Sequence, residues 1–160
     1  MKKLYLGAVI LAAVLANAGS VYAITVTGNA SAVIRRTIAA TETQTMNFGT
    51  ISSGTTAGTV TLSPAGVRTS ALSYYGTSRP GIFTITGEPS TPLTISFANG
   101  TLSNGANTMT LSNFTTSTTP ASSTTDSSGN LTLNVGADLA VAANQASGNY
   151  TGTYAVTISY

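Results

Sequence analysis

The sequence predicts an all-β protein, a β-sandwich of about eight short strands. Three observations predict the sandwich. Apolar residues recur with a period of two in segment after segment. No stretch after residue 23 has helical periodicity. Gly, Ser and Asn separate the alternating segments at intervals typical of sandwich turns.

Residues 1–23 read as a signal peptide. Lys2 and Lys3 form a positive start, Leu4 to Leu15 is an apolar run, and Val21-Tyr22-Ala23 places small residues at a cleavage position. Ala16-Asn17-Ala18 is a second acceptable site. Export is therefore expected, to the periplasm in transit and then to the cell surface or medium. Past Ala23, Arg35, Arg36, Arg68 and Arg79 balance Glu42, Glu88, Asp126 and Asp138. A neutral chain without a basic footprint is not expected to bind nucleic acid. Its low charge also gives weak protection against association.

The first alternating segment is 24–34. Ile24, Val26, Gly28, Ala30, Ala32 and Ile34 form one face, and Thr25, Thr27, Asn29 and Ser31 lie between them. Residues 35–40 either continue as an edge strand or turn into the domain body. Met46, Phe48 and Ile51 point inward, with Gly49 at a bulge. Ser52 to Gly58 is a loop, and the strand from Thr59 stops at Pro64.

Ala71 to Tyr75 is short and ends at Gly76. Gly81 to Thr86 and Leu93 to Phe97 are strands, and Asn99-Gly100 and Asn104-Gly105 are turn signals. Met109, Leu111 and Phe114 share a face. Ser112 to Asn130 is a polar tract that reads as a long hairpin or exposed loop. Leu131, Leu133 and Val135 alternate, as do Leu139 and Val141, before a turn at 144–149. The last residues pattern again: Tyr150, Gly152, Tyr154, Val156, Ile158 and Tyr160 share a face.

The chain has no His, Cys or Trp. A Ser-His-Asp triad, a thiol nucleophile and a zinc site of the usual ligands are thereby excluded. No catalytic residue, cofactor or metal is expected, and the reading is of a non-enzyme. Asp126 to Asn130 lacks the carboxylates of a calcium loop and reads as a turn. Tyr74, Tyr75 and Arg79 either form a glycan-stacking patch or divide between the core and the sandwich edge.

Two stretches carry a resemblance: Asn47 to Ile51 with Gly58 to Arg68, and Val141 to Tyr160. They resemble the bacterial exported domain of unknown function 4402, and more broadly chaperone–usher pilins and spore-coat-U-type secreted proteins. The resemblance implies an immunoglobulin-like, pilin-like sandwich completed by a donor strand, with a domain body of 37–160 preceded by a donor extension, 24–36. It implies a pilus or fimbria subunit, polymerised with copies of itself after passing a periplasmic chaperone and an outer-membrane usher. In that scheme Ile24, Val26, Gly28, Ala30, Ala32 and Ile34 enter a groove, and the face from Tyr150 to Tyr160 borders the groove and meets the chaperone. Unlike many pilins the chain has no disulfide, and its closing aromatic, Tyr160, is last rather than penultimate. The alternative expectation is a self-complemented, monomeric surface module that recognises a host or surface glycan.

Overall fold

The computed structural model describes residues 22–118 and 123–160. The expected signal segment falls outside these apart from Tyr22 and Ala23. The chain divides into two units, Met1–Val33 and Ile34–Tyr160. In the first, the described residues 22–33 are exposed and belong to no strand.

The second unit is all-β. Its described strands are β1 (Ala39–Gln44), β2 (Thr50–Ile51), β3 (Gly58–Leu62), β4 (Arg68–Ser70), β5 (Tyr74–Tyr75) and β6 (Gly81–Thr86). They continue with β7 (Pro92–Asn104), β8 (Asn107–Thr116), β9 (Ser123–Thr124), β10 (Asn130–Val141) and β11 (Thr151–Ser159). The ladders form a nine-stranded antiparallel sheet with the path β1-β6-β10-β8-β7-β11, and β2 and β5 form a small second sheet. This is consistent with the β-sandwich expected. No helix of the described residues is long and apolar enough to cross a membrane.

β10 organises the core. Leu133, Val135, Ala137, Leu139 and Val141 are all buried. Leu133 and Val135 pack with Ile85, Leu93 and Ile95. Ala137, Leu139 and Val141 pack with Phe48, Val60, Leu62 and Leu111. On one edge β10 changes partner midway: Val135 lies opposite Gly81 of β6, and Ala137 opposite Leu62 of β3. Gly136 sits at that handover, where a Cβ would strike the backbone of Leu62, Ser63 and Pro64.

Two bulges bend the sheet over this core. Between Gly136 and Asp138 the register with β8 slips, and Asn113 takes a left-handed φ of 50°, a conformation Asn tolerates. Its Nδ2 donates to Asp138 Oδ2 at 2.9 Å, and Thr61 Oγ1 donates to Asp138 Oδ1 at 2.6 Å. The slip turns both Leu111 and Phe114 toward the core. The second irregularity is between Thr153 and Ala155 opposite β7. There β7 leaves β8, whose last pair with it is Gly100–Leu111.

Three expectations need correction. Asn99-Gly100 is not a turn but lies inside β7, where Gly100 is buried. A Cβ on Gly100 would come 2.9 Å from that of Tyr154. Residues 112–116 are not loop but the end of β8, and Ser123–Thr124 form β9. Tyr74 and Tyr75 are both exposed, so neither enters the core. The turn at Asn104-Gly105 is as expected, with Gly105 at φ 59° between β7 and β8. So is the turn at Asp126, whose Oδ1 accepts from the Ser128 and Asn130 N–H groups at 2.8 Å each.

Stability rests on the β10 row. Leu133→Ala is expected to cost about 2–5 kcal/mol by leaving a cavity. Gly136→Ala is expected to cost about 1–3 kcal/mol, because only backbone can move aside. Urea melts with an unchanged slope and a lower midpoint are the check.

Candidate functional site

The sheet path ends at β1 and β11. Among the described residues β1 pairs only with β6, and β11 only with β7. Their outer edges therefore present unpaired backbone N–H and C=O groups. The free edge of β11 differs from an ordinary edge in what lies behind it. Tyr154, Val156 and Ile158 form its inward row, and each is only half-buried. They pack on the second core cluster together with Ile38, Met46 and Phe83, which are also half-buried. A free strand edge backed by a row of half-buried apolar side chains is what marks the site.

The face of β11 is keyed to β6 by tyrosines set over glycines. A Cβ on Gly81 would lie 2.5 Å from the Tyr154 hydroxyl oxygen, and one on Gly87 would lie 2.8 Å from that of Tyr160. Side-chain-free positions at both ends of the β6 row thus admit the two rings. Between them, Phe83 meets Tyr154 edge-on, with centroids 6.2 Å apart and planes at 84°. Phe114 lies against the same ring at 5.0 Å and stacks on Phe97 at 5.1 Å.

The two hydroxyls have different fates. That of Tyr154 is buried and has no hydrogen-bond partner among the described residues. Burial, with the Glu42 charge second, pushes its pKa up from 10.0 to about 12. That of Tyr160 donates to Arg36 O at 2.7 Å and accepts from Glu88 N–H at 2.8 Å. The Arg35 guanidinium carbon lies 5.8 Å from the Tyr160 ring centroid, and Arg36 N–H donates to Glu88 Oε2 at 2.9 Å. Tyr160 therefore pins the residues that lead into β1. A cavity of about 510 Å³ lies at this end, lined by Arg35, Thr91, Pro92, Leu93, Thr94, Ile95 and Tyr160.

The residues singled out in the sequence are distributed as follows. Tyr154, Val156 and Ile158 share the inward face of β11, and Tyr160 follows it, 41% exposed. Gly152 is exposed near the start of β11. Tyr150 precedes the strand, its hydroxyl donating to Ala146 O and accepting from Gln145 Nε2 at 2.8 Å each. Ile24, Val26 and Ile34 are 84–94% exposed, and Gly28, Ala30 and Ala32 are exposed too. The alternating segment 24–34 forms no strand within the chain, because no ladder holds it. Gly81, Gly87, Phe83, Ile38 and Met46 escaped the sequence reading as site residues. The six-residue interval from Gly81 to Gly87 equals that from Tyr154 to Tyr160, a signal visible only once β6 and β11 are known to face each other.

The aromatic pair makes a poorer platform. Tyr74 donates to Arg68 O at 3.1 Å, and the Arg68 guanidinium covers its ring at 4.4 Å. Arg68 itself is buried and donates to Phe48 O, Tyr75 O and Gly76 O. Tyr75 is 60% exposed, and Arg79 is fixed by backbone bonds to Asn47. Among the described residues no group of three His, Cys, Asp or Glu could hold a metal ion.

The raised Tyr154 pKa has a measurable sign. Below pH 10.0 the hydroxyl is neutral in both states; between there and about 12 the folded chain keeps the proton and the unfolded chain loses it. Stability therefore falls as pH rises through that window. Tyr154→Phe is expected to remove this component, read as a smaller alkaline drop in urea midpoint than in the unmodified chain.

No curated protein and no solved structure matches the chain. Over residues 37–160 its sequence fits the family described as domain of unknown function (DUF4402), and the chain belongs to that family.

Proposed function

We propose that this chain is a non-enzymatic structural subunit of a surface pilus or fimbria, assembled by donation of a β-strand between copies. One observation carries the reading. The chain has a free sheet edge backed by a half-covered apolar row, Tyr154, Val156 and Ile158 of β11, and an alternating segment, 24–34, that is exposed and belongs to no ladder.

β-Strand addition joins the two by ordinary physics. Main-chain hydrogen bonds to the open edge supply affinity, and alternate side chains supply register. A one-residue slip would turn Thr25, Thr27 and Asn29 inward, so the alternation itself selects the pairing. Covering three half-exposed apolar side chains adds about 25 cal/mol per Å² of apolar surface removed from water. In the same reading the signal segment exports the chain, a periplasmic chaperone covers the edge first, and an outer-membrane usher exchanges it for the next subunit.

Gly28→Leu separates assembly from folding. Nothing lies within 4 Å of where its Cβ would point, so the variant body is expected to melt as the unmodified chain does. Cells producing the unmodified chain are expected to release polymers on shearing, and the variant only monomers. Monomers alone from the unmodified chain would overturn the proposal.

A further inference from the structure

We propose that Asn104 is a site of spontaneous deamidation, that the fold protects the chain's other Asn-Gly pair, and that the product unfastens the start of β11.

An Asn followed by Gly is the most reactive amide sequence in a polypeptide, because a glycine nitrogen closes a ring without side-chain obstruction. The chain has two such pairs, Asn99-Gly100 and Asn104-Gly105. The Gly105 nitrogen, having lost its proton to hydroxide, attacks Asn104 Cγ. A Cγ–N bond forms and closes a five-membered imide; the Cγ–Nδ2 bond breaks and ammonia leaves. Water then opens the imide. Attack at Cγ restores the backbone with an aspartate side chain. Attack at the main-chain carbonyl carbon leaves the chain running through Cγ, an isoaspartate with one more atom in its backbone.

Ring closure needs an unheld nitrogen and room for its peptide plane to turn. Gly105 has both. It sits at φ 59° in the loop that joins β7 to β8. Among the described residues no hydrogen bond holds its N–H, and nothing lies within 4 Å of where its Cβ would point. Gly100 has neither. Asn99 is as exposed as its neighbours on the outer face, but Gly100 is buried within β7. Ala98 pairs with Ala155 of β11, and Gly100 pairs with Leu111 of β8. A Cβ on Gly100 would lie 2.7 Å from Thr153 O and 3.3 Å from Leu111 Cδ1. Turning the Asn99–Gly100 peptide would break ladders on both sides of β7.

The same contacts decide what the reaction does. Asn104 is half-buried, and its Nδ2 donates to Ser147 O at 3.4 Å. That nitrogen lies against the place a Cβ on Gly148 would take, so the amide is pressed onto the turn before β11. Deamidation replaces the donor with a carboxylate oxygen, which has no proton to share with the Ser147 carbonyl and repels it. The isoaspartate also lengthens β7 at Asn104–Asn107, the pair that closes the hairpin. The next pair inward is Ser103–Thr108, and Ser103 pairs in turn with Thr151, the first residue of β11. The modification therefore acts on the entry to β11, at the opposite end of that strand from Tyr160.

The full chain, held in mildly alkaline buffer and sampled over time, would be mapped by mass spectrometry for loss of amide at each Asn. In denaturant both Asn-Gly pairs are expected to convert at similar rates. In the folded chain Asn104 is expected to convert at least about tenfold faster than Asn99, a barrier difference of about 1.4 kcal/mol. Equal conversion of the two in the folded chain, or none at Asn104 while the denatured chain converts, would overturn the site. Hydrogen exchange of the aged chain is expected to show lost protection at residues 151–153, and Asn104→Ser, which cannot form the imide, to show no change with age. Unaltered protection of those residues in fully converted chain would overturn the effect on β11.

Discussion

The fold depends on the inward row of one strand. Leu133, Val135, Ala137, Leu139 and Val141 are consecutive inward positions of β10, and that strand alone contributes several buried residues to both core clusters. Because β10 gives its first half to β6 and its second to β3, it needs one position where the partners can change without collision, and Gly136 is that position. The bulge at Asn113 then carries β8 across the same strand while keeping Leu111 and Phe114 inward. From this row the molecule closes well toward Phe48, Val60 and Leu62, and incompletely toward β11.

That incompleteness is selective. The Tyr154 and Tyr160 rings seat over Gly81 and Gly87, so β11 is firmly positioned although it has a single ladder partner. A loosely held edge would offer poor complementarity to anything laid beside it. Here the row behind the edge is fixed by aromatic packing and by Tyr160 bonds to Arg36 and Glu88, while its outer side stays half-exposed. Preorganisation of this kind lowers the ordering cost of accepting a strand.

Much of the fold was legible in the sequence, because a buried face imposes a period of two. Gly81–Thr86 and the strand ending at Leu62 could be bounded almost to the residue, since alternation stops at Gly87 and Pro64. Composition misled where backbone was needed for packing rather than for turning. Asn99-Gly100 looks like a hairpin, but Gly100 is small to let Tyr154 and Leu111 approach. Ser112 to Thr116 looks like loop, but its polar residues are the outer face of a bulged strand. The inward residues of β11 were readable from the alternation. Their glycine partners on β6 were not, because contact across a sandwich leaves no local periodicity. The placement of Tyr74 and Tyr75 outside the core depended on Arg68, a buried cation held by backbone carbonyls, which no neighbouring acidic residue announces in the sequence.

The central claim is that the β11 edge accepts the 24–34 segment as an added strand. Its most direct test is the melting temperature of residues 35–160, measured with and without a synthetic peptide of residues 24–34. The compactness of the Ile34–Tyr160 unit makes the truncated chain a fair host. A melting temperature that rises with peptide concentration as ligand linkage requires, and that does not rise with a peptide carrying Leu in place of Gly28, is the predicted result. A melting temperature indifferent to the peptide at saturating concentration would contradict the account.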